Sequence, residues 1–508
     1  MKKIKYLFLI VLAASFITCD INKELDEVPE LVVVFDDPVS GTADFTNYVS
    51  IGASFTAGFS DGAVFLAAQN ESFPAIMANM MTAMGGGNFT QPLVNDNIGG
   101  LLLSGQQISP PRLFFDVVGP AVLSEIPTTE ISNILTGPFN NMGVPEAKSY
   151  HIVAPEYGSV ANVPLGSANP YFARMASNPG ATILEDAASQ EATFFTISEI
   201  GGNDVLGYAT SGGTGIVQTG NPDQTTYDPA DITDPELFTN VFSSIVQTMT
   251  ANGAKGAVVT IPSIVNLPYF TTVPYNAVPL DSATADQLNA GYEAYNEGLQ
   301  AALEALNEPE SFTQEEVNRR KINFTTGSNA VVIIDEDLTD LEAINPDFAG
   351  LAQYRQATAE DFLVLTSASF IGTTVGDNPD DINGLTVPLA DNWVLTPEEQ
   401  NNIQVATDAY NAAITNIGIT NNLAVIDLDG LLSEAASTGA QFDDFIMTTS
   451  LVFGGMVSLD GIHLTTRGYA LMAKKILEGI DATYGSNFSA SGNLPKANNY
   501  PTNYPLGI

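Results

Sequence analysis

Three clusters in this chain combine residue types that could do nucleophilic chemistry. The first is Val49-Ser50-Ile51-Gly52-Ala53-Ser54-Phe55-Thr56-Ala57-Gly58, an apolar run closed by small residues around one serine. A serine at the carboxyl end of a strand is placed to attack an electrophile. A glycine two residues before a serine is common by chance, however, and Thr56 stands where G-x-S-x-G would put its second glycine. The second cluster, Ile200-Gly201-Gly202-Asn203-Asp204, follows another apolar run. Its glycines admit a close backbone approach and Asn203 offers amide donors, although alone it reads more readily as a turn. The third is Leu459-Asp460-Gly461-Ile462-His463-Leu464-Thr465. Imidazole is the usual general base near neutral pH, and an aspartate three residues earlier can sit beside it and fix its tautomer. A lone histidine near a helix start is more often structural. With only two histidines in the chain, His151 and His463, Asp460 shifts that balance.

Such residues need rigid elements to hold them. Apolar, β-rich runs at residues 48–51, 193–200, 257–261, 331–334 and 423–428 predict short buried strands. Helical patterns at 285–306, 396–417 and 466–480 lie between or after them, the second opened by Thr396-Pro397-Glu398-Glu399. Short strands separated by helix-bearing segments predict a mainly parallel sheet covered on both faces. Tyr295-Asn296 with the run at 331–334, and Tyr410-Asn411 with the run at 423–428, look like two helix-then-strand units of that fold. The stretch 265–395, rich in Pro, Asp and Asn, reads as an insertion flanking the site.

Composition narrows the function classes. The 508 residues carry Lys+Arg 16 against Asp+Glu 58, a net charge of −42, with sequence pI near 4.1. At 45% hydrophobic the chain is no disordered acidic tail. Scarce Lys and Arg exclude an electrostatic nucleic-acid footprint and docking on anionic headgroups.

Together the clusters resemble the SGNH/GDSL hydrolase family of esterases and lipases. Gly52-Ala53-Ser54-Phe55-Thr56 resembles its first block, Gly201-Gly202-Asn203-Asp204 its Gly-x-Asn-Asp block, and Asp460-Gly461-Ile462-His463 its Asp-x-x-His block, in the right order. The resemblance implies a three-layer α/β/α, flavodoxin-like domain over residues 46–485, with the site at the carboxyl ends of the strands. It implies Ser54 as nucleophile, His463 as base and Asp460 as its orienting partner. It also implies an oxyanion hole of Asn203, the Ser54 N–H and a glycine N–H. Asn141-Met142-Gly143-Val144-Pro145 supplies Gly143 for that glycine, with Gly99 as its rival. Two departures stand out: Ala53 replaces the Asp of the family name, and Glu146 occupies the place of a further glycine. No metal or organic cofactor is implied.

Met1-Lys2-Lys3-Ile4-Lys5, an apolar run and then Cys19, the chain's single cysteine, resemble a bacterial lipoprotein signal. The expected order is signal 1–18, lipidated Cys19, acidic tether 19–45, hydrolase domain, and tail 486–508. That places the protein in the cell envelope, with membrane contact only through the lipid.

The leading expectation is a serine esterase acting on a small-molecule, glycan or lipid ester. The runner-up is a non-catalytic surface lipoprotein that binds glycan or another ligand on the same fold. Val64, Phe65 and Leu66 could suit an acyl chain, or be an ordinary buried helix. His151 is expected in a turn, Trp393 in a core, Arg174, Arg319 and Arg320 in ordinary pairs, and the acidic string 377–384 in a solvated loop.

Overall fold

The computed structural model describes residues 34–307 and 312–508. Cys19 and the segment ahead of residue 34 lie outside the described residues.

Five short strands form the central sheet: β1 (Tyr48–Gly52), β2 (Asn141–Gly143), β3 (Phe194–Ile197), β4 (Lys255–Val259) and β5 (Ala424–Ile426). All pair in parallel, in the order β5-β4-β3-β1-β2. That 2-1-3-4-5 order is the flavodoxin-like one. β1 and β3 are buried along their whole length, which is why each reads as a continuous apolar run. Among the helices are α1 (Ser54–Ala57), α2 (Phe73–Met81), α3 (Gly202–Thr210), α4 (Pro235–Thr250), α5 (Ser282–Ala305), α6 (Gln314–Arg320), α7 (Pro397–Thr420), α8 (Leu428–Ser437) and α9 (Thr466–Tyr484). From β1 the chain steps one way to β2, and from β3 it steps the other way to β5. Right-handed crossovers therefore send the connecting helices to opposite faces, giving three layers. Accordingly α9 packs on α2, and α7 packs on α4 and α3.

Local signals explain the helix ends. Thr396 and Glu399 make a reciprocal capping box at the start of α7, with Pro397 in its first turn. Thr465 accepts the Gly468 N–H at the start of α9, which stops at Gly485 in the left-handed region (φ 73°). Arg467 and the buried Arg112 hold the last residues onto the domain: Arg467 donates to Ala497 and Tyr500 carbonyls, Arg112 to those of Tyr504 and Pro505.

The run at 331–334 does not join the central sheet. Val332–Ile334 pairs antiparallel with Tyr354–Gln356, in a second hydrophobic core that draws on residues from Val273 to Val394 and includes α5 and α6. The apolar run reports burial, but burial in a separate core. A buried ion pair fixes it there: Arg355, on the partner strand, binds Asp335 and also reaches Asp361 at 2.6 Å. Of the two similar helix-then-strand units, only the one ending in β5 belongs to the parallel sheet. Trp393 packs against both cores and stacks on Phe370 at 4.7 Å.

Candidate active site

Ser54 opens α1 directly after β1, at the carboxyl edge of the sheet. The turn is tight enough to require a glycine at 52, where a Cβ would lie 2.0 Å from Thr56 Oγ1 and 2.8 Å from the Ser198 carbonyl. Ser54 is only 6% exposed, and its Oγ accepts the Glu146 N–H at 3.3 Å. Gly143, expected to present its N–H here, gives it instead to Asn141 Oδ1 at 2.9 Å. Its lack of a side chain serves packing, because a Cβ would sit 2.3 Å from the Ala57 nitrogen. Gly99, the rival, gives its N–H to Asp96 Oδ1 at 3.2 Å. The donor facing the serine thus lies three residues beyond Gly143, where Glu146 holds φ at +65°, a region that favours glycine. The place of the further glycine was the signal in the sequence that marked it.

His463 and Asp460 lie on the loop before α9. Asp460 Oδ2 binds His463 Nδ1 at 2.9 Å and accepts the Gly62 N–H at 2.8 Å. Oδ1 accepts the N–H groups of Ile462 and His463, both at 2.8 Å. Burial works against the charged carboxylate, yet the His463 ring and these N–H donors hold the Asp460 pKa well below the usual range. The imidazole is fixed from its faces too, with the Phe59 ring 4.3 Å away and Phe55 edge-on at 5.9 Å. Asp61 supports the loop through the Leu459 N–H, and burial pushes its pKa up to about 7.

Between these lies the turn after β3. Asn203, in the first turn of α3, donates an amide proton to the Ala147 carbonyl at 3.0 Å, tying α3 to the Glu146 loop. Asp204 secures the same loop by accepting from Ser149 N and Oγ at 2.8 and 2.6 Å. Glu199, which motif comparison alone does not single out, points its carboxyl at the serine turn. Its Oε1 accepts the N–H groups of Ala53 and Thr56, and burial pushes its pKa up to about 7.

Ser54, Glu199, Asn203 and His463 line one cleft. Its walls are apolar: Val205, Leu206, Ile261, Ile264, Leu267 and Ile462. Val64, Phe65 and Leu66 are not among them. Phe65 is buried against Tyr504 at 5.1 Å, and Val64 and Leu66 fill a small satellite cluster. The actual wall comes from α3, the segment after β4 and the loop before α9, whose apolar residues have no pattern that marks a cleft.

Other candidates have structural roles. His151 Nδ1 accepts the Lys148 N–H at 3.0 Å and its ring stacks on Tyr157 at 4.3 Å. Burial, with Lys148 nearby, lowers its pKa to about 3. Arg319 pairs with Asp335 at 3.0 Å, while the buried Arg320 binds the Leu351 and Ala352 carbonyls. Arg174 donates to the Leu93 carbonyl at 2.9 Å. Residues 377–380 of the acidic string are exposed, with Asn378 Oδ1 accepting the Asp380 N–H, while Asn383 at its far end is buried. No helix among the described residues is long and apolar enough to cross a membrane.

No curated protein and no solved structure matches the chain. The model of the GDSL-like Lipase/Acylhydrolase family does match, over residues 48–476, from β1 well into α9. With a 2-1-3-4-5 parallel sheet and the three motif blocks gathered at its carboxyl edge, the chain belongs to that hydrolase family.

Proposed function

We propose that the protein is a serine esterase that transfers an acyl group from an ester to water through Ser54. One observation carries this reading: Ser54, Asn203 and His463 line the same cleft, with His463 Nδ1 held by Asp460 at 2.9 Å. Asp460 keeps the proton on Nδ1, so Nε2 is the basic nitrogen. Ser54 Oγ attacks the ester carbonyl as His463 takes its proton. The oxyanion meets the N–H groups of Ser54 and Glu146 and the second amide proton of Asn203. His463 then protonates the leaving alcohol, and water repeats the cycle on the acyl-enzyme. Donors of this kind matter because they meet charge that develops only in the transition state, each contributing about 3 kcal/mol. The apolar walls suit an acyl chain better than a polyhydroxylated ligand, which favours catalysis over glycan binding.

Ser54→Ala is expected to abolish hydrolysis of a short p-nitrophenyl ester, with the circular dichroism spectrum unchanged. Wild type is expected to take a fluorophosphonate label at Ser54. Undiminished turnover in the variant overturns the assignment. Lipid attachment at Cys19 is part of the same reading; metabolic labelling with an alkyne fatty acid that leaves the protein unlabelled removes it.

A further inference from the structure

The serine turn has no cap of its own. Ala53 stands at the N-cap of α1 and makes no side-chain hydrogen bond. At that position a side-chain oxygen ordinarily takes the N–H of the second or third helical residue. In a capping box, two donors are satisfied: the N–H of the N-cap residue and that of the third helical residue. In α1 these are Ala53 and Thr56, and a single distant atom accepts both. Glu199 Oε1 lies 2.6 Å from the Ala53 nitrogen and 2.8 Å from the Thr56 nitrogen. The two bonds bracket Ser54 and Phe55, whose own N–H groups lie between them in the chain.

Glu199 is built for that position. It is 6% exposed, at the floor of the cleft, with φ at +45°, a backbone conformation that a glutamate adopts only where its surroundings impose it. The hydroxyls of Ser198 and Thr56 lie beside the carboxyl. Its bonds are to backbone, and none is to Ser54 Oγ.

We propose that Glu199 is the positioning residue of the nucleophile turn, capping α1 from the end of β3 in place of the acidic side chain absent at residue 53. It acts by fixing the peptide planes on either side of Ser54, and hence the directions of Oγ and of the Ser54 N–H. The inference rests on the assignment of Ser54 as nucleophile. What the turn needs is an oxygen acceptor at this depth, and the carboxyl supplies one with or without its proton.

The test measures kcat per reactive serine, counted by fluorophosphonate titration, so that a loss of folded protein does not register as a loss of rate. Glu199→Ala is expected to lower kcat about 100-fold, the cost of a displacement near 1 Å, with KM changed less than about threefold. Glu199→Gln, whose amide oxygen accepts the same two N–H groups, is expected to lose only a few-fold. Adding Ala53→Asp to Glu199→Ala restores a local acceptor and is expected to recover about tenfold. Should Glu199→Ala fail to fold, Glu199→Asp keeps the charge but falls a methylene short, and it must lose more than Glu199→Gln. An unchanged kcat in Glu199→Ala, or a loss in Glu199→Gln matching that of Glu199→Ala or exceeding that of Glu199→Asp, overturns the proposal. A wild-type protein that neither labels nor hydrolyses esters refutes the assignment of Ser54 instead.

Discussion

Asp460→Asn separates charge from shape at the histidine, and its outcome follows from four hydrogen bonds. Oδ1 accepts two backbone N–H groups, those of Ile462 and His463, while Oδ2 accepts the Gly62 N–H and binds His463 Nδ1. The amide nitrogen must replace one of these oxygens. At Oδ1 it would face two backbone donors that cannot adjust. At Oδ2 it faces only one, Gly62, because the imidazole can answer by changing tautomer. The second orientation wins. His463 then accepts at Nδ1 and carries its proton on Nε2, where it cannot take one from Ser54. A wrong tautomer of this kind costs about 10⁴ in kcat, equivalent to about 5 kcal/mol of barrier. The orphaned Gly62 N–H costs about 1–3 kcal/mol of stability, so the variant still folds. Steady-state hydrolysis of p-nitrophenyl acetate, with urea unfolding of the same preparation, checks both numbers. A variant that turns over within tenfold of wild type refutes the assignment of roles to this pair.

Further outcomes follow from the same geometry. Glu199 titrates near 7 when folded against an ordinary 4.5, so the folded state holds an extra proton between those values. Stability from this group is complete below about pH 4.5 and falls by about 3 kcal/mol as pH rises through 7. Urea unfolding across that window is expected to slope downward in wild type relative to Glu199→Gln, and parallel curves would refute the titration. Gly52→Ala forces a methyl group to 2.0 Å from Thr56 Oγ1 and is expected to cost about 1–3 kcal/mol and most of the activity, read by thermal unfolding and ester assay. Ile264→Trp narrows the apolar wall and is expected to lower kcat/KM for long acyl esters more than for acetate in a chain-length series. Arg355→Ala leaves the buried Asp361 carboxylate without its cation and Asp335 with Arg319 alone, and calorimetry should register a loss of about 3–5 kcal/mol.

The strands leading into Ser54 and Asn203 were legible because a strand buried on both faces has to be a continuous apolar run. β2 was not, since Asn141–Gly143 is held by main-chain pairing to β1 and by Asn141 donating to the Thr56 carbonyl, with one apolar side chain among its three residues. The run at 331–334 misled for the opposite reason: an apolar pattern reports burial without saying in which core. Within the site, residues close in sequence were readable, as with Asp460 and His463. Partners brought together by the sheet were not. The cap for Ala53 comes from Glu199 in the turn after β3, and the donor at Ser54 depends on a backbone angle at Glu146 rather than on residue type.

His151 has a use that its structural role conceals. The chain contains two histidines, so its imidazole carbon-bound protons give a very small set of NMR lines. One of the two rings is immobilised against Tyr157, with Nδ1 occupied by the Lys148 N–H and a proton refused above about pH 3. Between pH 5 and 8 it is a stationary internal standard. Any histidine line that shifts on adding an inhibitor, or on replacing Asp460, belongs to His463. The wild-type sequence is already a single-probe reporter of its own cleft, with no isotope at a chosen site and no assignment experiment required.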